Sequence, residues 1–83
     1  MKEEKILQIV YELFGIFKRD DCNFSAVSSI LMMLSEVTSN AEIRSFCIDA
    51  SIVIGESIYD KPISMSFEEL EENFKKLCKE ISA

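Results

Sequence analysis

Histidine and tryptophan are absent from the 83 residues, glycine occurs twice, proline once, and bases are outnumbered nine to fifteen by acids. Each shortage removes a class of protein. Without His the chain lacks the side chain that most often moves protons near neutral pH and that completes most nucleophilic triads. With so little Gly and Pro, a turn-rich β-sandwich or a low-complexity tail is excluded, while 48% hydrophobic residues suffice for a core. The formal charge of −6 repels the phosphate backbone on which most nucleic-acid affinity rests, so DNA or RNA is not expected as a direct partner. No G-x-S-x-G, G-x-x-x-x-G-K or G-x-G-x-x-G occurs, and no Asp-Ser pair of the kind that carries phosphopantetheine. A non-enzymatic chain without cofactor is expected.

The three cysteines, Cys22, Cys47 and Cys78, are odd in number and show no C-x-x-C spacing, which argues against a disulfide framework or a zinc site. Each lies in or beside an apolar run and is expected to be a small reduced hydrophobe in the cytoplasm. The apolar stretch from Ile6 to Phe17 follows Lys2-Glu3-Glu4-Lys5 and contains Glu12, unlike a secretory signal, and it is shorter than the ~20 residues that span a bilayer. No membrane association is expected.

What is present is helical periodicity. Ile6, Ile9, Val10, Leu13, Phe14 and Phe17 recur at three- and four-residue steps within Glu3 to Arg19, with Leu7, Tyr11 and Ile16 widening the face. Gly15 in that helix is either tolerated at ~1 kcal/mol relative to Ala or marks a close helix crossing. Asp20-Asp21-Cys22-Asn23 predicts a turn. A second helix runs from Phe24 or Ser25 to Val37 on a stripe of Val27, Ile30, Leu31, Leu34 and Val37. Its other face, Ser25, Ser28, Ser29, Met32 and Ser35, is uncharged, so it is either buried in the bundle or covered by a partner.

Ser39-Asn40-Ala41-Glu42 has the form of a capping box and starts a third helix through Ile43, Phe46, Cys47, Ala50, Val53, Ile54 and Ile58, ending before Asp60-Lys61-Pro62. The β-branched run from Ile48 to Ile54 offers a strand as the rival, but Glu42, Asp49 and Glu56 keep helical spacing. Ser66-Phe67-Glu68-Glu69 is a second capping box, stapled by Met65 to Leu70, and Phe67, Leu70, Phe74, Leu77 and Ile81 form the fourth stripe. Its acids precede its bases, which suits the helix dipole and pairs Glu71 with Lys75 and Glu72 with Lys76 on a solvated face. Residues 1–83 are therefore expected to form one all-α domain, a small four-helix bundle with up-and-down connectivity.

Charge is unevenly placed: residues 20–60 carry seven acids against one base, Arg44, and so hold the whole net charge of −6. On the third helix Glu42, Asp49 and Glu56 line one side, with Ile52, Tyr59 and Asp60 on or beside it. Carboxylates that steer encounter around an apolar or aromatic anchor suit a basic protein partner. The alternative is that the acids only keep this helix soluble while Ile52 and Tyr59 enter the core.

Within that region Glu56-Ser57-Ile58-Tyr59-Asp60-Lys61-Pro62 resembles the acid-x-Ile-Tyr-Tyr-Pro segment of the colicin-type nuclease immunity proteins, with Asp60 at the second Tyr and Lys61 as an extra residue before Pro62. The resemblance covers seven of 83 residues. It implies a small acidic four-helix inhibitor of a basic bacterial nuclease toxin, with toxin contact at Tyr59 and Glu56. The expected function is thus binding and neutralisation of a basic protein, probed at Glu42, Asp49, Ile52, Glu56, Tyr59 and Asp60. Two alternatives remain: a self-associating assembly or chaperone subunit, such as a homodimer, using Ser28 and Met32, and an adaptor that takes an amphipathic helix between its own.

Overall fold

The computed structural model describes residues 2–19, 23–56 and 64–82. Four helices account for 86% of them and none lies in a strand, so the β-branched run of residues 48–54 is helical. Helix α1 spans Glu3–Phe17, α2 Phe24–Val37, α3 Ala41–Glu56 and α4 Phe67–Ser82. Contacts pair rising with falling positions, Ser28 with Ser51, Phe46 with Phe74 and Lys18 with Glu71, as antiparallel neighbours require. The result is a small all-α four-helix bundle, as the periodicity implied.

Side-chain caps set three of the helix starts. Asn23 Oδ1 accepts from Ala26 N at 3.0 Å, and Ser66 Oγ accepts from Glu69 N at 3.1 Å, as the second capping box required. The first box is not used as written. Helix α3 begins one residue later, with Asn40 as its cap accepting from Ile43 N at 3.0 Å, while Thr38 Oγ1 accepts from Asn40 N. Asn caps as well as Ser does, and the Thr38 bond holds Asn40 in place. The end of α2 is closed from α3: Arg44 donates through Nε to the Ser35 carbonyl at 3.3 Å and through Nη2 to the Thr38 carbonyl at 3.0 Å. The one base of the acidic middle is therefore engaged with carbonyls that the helix end leaves without intrahelical partners.

The core gathers Ile6, Val10, Leu13 and Phe14 from α1, Val27, Leu31 and Leu34 from α2, seven α3 positions from Ile43 to Ile54, and Leu70, Phe74 and Leu77 from α4. Phe14 is its hub, edge-on to Phe46, Phe67 and Phe74 with ring centroids 5.3 to 6.0 Å apart. The two faces that α1 and α2 were expected to bury are both narrower. Tyr11 and Ile16 are exposed on α1, and Ile30 and Val37 are exposed on α2.

The reason on α2 is a rotation toward its serines. Ser28 Oγ lies 2.9 Å from both the carbonyl oxygen and Oγ of Ser51, and Ser51 Oγ donates to the Ser28 carbonyl at 3.0 Å. Beside this pair, a Cβ at Gly55 would stand 3.3 Å from Ser28 Oγ. Small side chains let two helices approach closely, so Ser28 and Ser35 turn inward while Ser25, Ser29 and Met32 stay exposed, and part of the aliphatic stripe turns out. Gly15 behaves oppositely: a Cβ there would meet nothing within 4 Å, which removes the close-crossing reading.

Candidate protein-binding face on helix three

The outer side of α3 carries what the sequence placed there. Glu42 and Asp49 are exposed, two turns apart on one line, and Ile52 beside them is 50% exposed, which settles it as surface rather than core. Tyr59 and Asp60 lie outside the described residues. Glu56 is half-buried and already engaged, since its Oε1 accepts from Ser64 Oγ at 2.8 Å and from Ser64 N at 3.3 Å. That carboxylate braces the chain ahead of α4 and is less available to a partner than Glu42 or Asp49.

A shallow groove of about 380 Å³ runs between this side of α3 and α4. Its floor is Phe46 and Leu77, and its charged walls are Glu42, Asp49 and Glu80 against Lys76. Three carboxylates facing one ammonium leave a local surplus of negative charge. Glu80 and Asn73 join this face from α4 and were not singled out in the sequence, where the Glu and Lys of α4 looked self-paired. Only the register of α4 against α3 reveals them.

The charges of α4 are in fact shared out. Glu71 does not pair with Lys75 but reaches α1, where its Oε2 is 2.7 Å from Lys18 Nζ. Lys75 pairs instead with Glu72, three residues earlier, at 3.9 Å. Lys18 also stands 5.6 Å from the centroid of the Phe67 ring.

The face at first assigned to self-contact on α2 divides. Ser28 belongs to the interior seam with Ser51, whereas Met32 is 40% exposed. The exposed apolar line is Ile30, Met33 and Val37, at four- and three-residue steps on the side away from Leu31 and Ser35.

Neither of the two described thiols is activated. Burial pushes Cys47 from 9.0 up to about 11, and burial also raises Cys78, so both are protonated at neutral pH. Cys22 lies outside the described residues. Among the described residues no group of three His, Cys, Asp or Glu side chains is placed to hold a metal ion, no buried side-chain nitrogen or oxygen lacks a partner, and no helix is long and apolar enough to cross a membrane. No family model, curated protein or solved structure matches the chain.

Proposed function

We propose that the protein is a non-enzymatic cytoplasmic binding module that neutralises a basic protein partner, in the manner of an immunity protein covering a nuclease toxin, through the outer face of α3. The observation that carries this reading is the exposed line of Glu42 and Asp49 on a groove whose walls hold three carboxylates and one lysine, with the exposed Ile52 one turn beyond Asp49 on α3. A docking face for a basic partner needs an apolar contact within a field of negative sign, and Ile52 beside these carboxylates supplies one. The similarity of residues 56–62 to the immunity-protein segment supports the same partner class.

The experiment is a search of the neighbouring reading frames for a basic domain, followed by association kinetics with it at low and high salt. Glu42→Lys with Asp49→Lys should slow association about tenfold or more and flatten its salt dependence, because long-range attraction acts mainly on the on-rate. Ile52→Asp should act on dissociation. Absence of a basic domain in the neighbouring frames, or an on-rate indifferent to both reversals, would remove the reading.

A second reading has its own observation. Ile30, Met33 and Val37 form an exposed apolar line on α2, as a self-associating subunit would need. Light scattering decides it: a parent dimer that Met33→Glu converts to a folded monomer supports self-association, and a monomeric parent dismisses it.

A further inference from the structure

Helices α1 and α4 are in ring contact at Phe14 with Phe74 and again toward the C-terminal end of α1. There Phe17 and Phe67 stack at 4.6 Å between centroids, and Lys18 ties to Glu71. Further along, where Gly15 and Tyr11 face the level of Phe74 and Cys78, a cleft of about 400 Å³ remains. Its floor is apolar, made by the buried rings of Phe14 and Phe74. No side chain fills the space over Gly15, and replacing water on an apolar floor by an apolar group is favourable. The volume lies in the range of clefts that take small organic molecules.

Charge narrows the class. The chain carries −6, yet this rim has three lysines, Lys18, Lys75 and Lys79, against two glutamates, Glu12 and Glu71. The Lys18–Glu71 bridge cancels one pair. Lys75 and Lys79 then stand one turn apart on the α4 wall, and the 3.9 Å contact of Lys75 with Glu72 is too exposed to hold it strongly. From Glu71 to Lys79 the wall is ~12 Å long at the helical rise, which matches an extended chain of roughly ten bonds.

We propose that the α1–α4 cleft binds a medium-chain carboxylate, its apolar chain lying on Phe14 and Phe74 and its carboxylate held by Lys75 and Lys79. The site is independent of the α3 face, since Lys76 and Glu80 border that groove from another flank of α4.

The test is an amide-shift titration of the full chain with decanoate, and in parallel with decanol, both below the concentrations at which they aggregate. Decanoate should give saturable shifts confined to residues 11–18 and 71–79. Gly15→Leu, which fills the space while keeping the helix, should weaken binding about tenfold or more with an undiminished melting temperature. Lys75→Gln with Lys79→Gln should weaken decanoate about tenfold and leave decanol unchanged. The proposal is overturned by unsaturable or scattered shifts, by shifts centred on Ile30 and Met33, or by lysine removal that affects acid and alcohol alike. An amphipathic peptide helix that shifts these amides where decanoate does not would make the cleft a peptide groove and equally overturn it.

Discussion

Helices α2 and α3 meet along small polar residues, Ser28, Ser51 and Gly55, whereas α1 and α4 meet through rings, Phe14, Phe17, Phe67 and Phe74, and an ion pair. The first pair is close along its length because serines and a glycine leave nothing to hold the backbones apart. The second meets where the rings interlock, and beside those rings the space over Gly15 stays open. One chain thus builds a filled seam and a slot from the same helical periodicity, the difference lying in side-chain size at the contact. Polar groups can sit in the filled seam because each serine bonds to the facing one, which removes the penalty of burying a hydroxyl alone.

The largest effect that would break this contrast is at the aromatic hub. Phe14→Ala should lose about 3 to 5 kcal/mol in urea unfolding, out of ~5 to 8 in total, because the ring joins α1 to α3 and α4 at once. A loss under ~1 kcal/mol would mean that the rings do not hold the two ends together. Next comes alkaline stability. A buried thiol whose folded value is raised above its unfolded one contributes fully below pH 9.0 and loses that contribution as pH climbs toward about 11. Over that window Cys47 should account for a decline of about 2 to 3 kcal/mol, which Cys47→Ala should flatten relative to the parent. Unchanged slopes would show that Cys47 is not sealed between α3 and its neighbours. The smallest effect compares one substitution in both regions. Gly15→Ala should gain about 0.5 to 1 kcal/mol from helix propensity, while Gly55→Ala should gain nothing or lose about 1, since Ser28 is held by Ser51 and cannot easily yield. Equal gains at the two glycines would dissolve the distinction.

Helix number, positions and caps at Ser66 were legible because the apolar spacing, capping chemistry and charge order agree on the same segments. The rotation of α2 was not. A stripe of Ile and Val suggested burial at Ile30 and Val37, but the serines opposite could be judged only against Ser51 and Gly55, which come from another helix. Gly15 and Gly55 likewise look alike in sequence, and their neighbours decide which is crowded. On the candidate site, the Glu42 and Asp49 line was legible from spacing alone, whereas core and surface stayed equally open for Ile52 until the side that α3 buries was known. Glu80 was missed because its membership of the groove depends on how α4 lies against α3, and Glu56 was overvalued because its partner Ser64 sits in a connection with no periodic signal.

If the α3 face binds without being needed for folding, one paired measurement on Ile52→Asp shows it: the dissociation rate from a basic domain found in the neighbouring reading frames, together with the melting temperature. Ile52 is already half in water, so the melting temperature should move little, while dissociation should accelerate by the equivalent of about 2 kcal/mol, roughly thirtyfold. A variant that releases the partner no faster than the parent, or that unfolds, would contradict the claim.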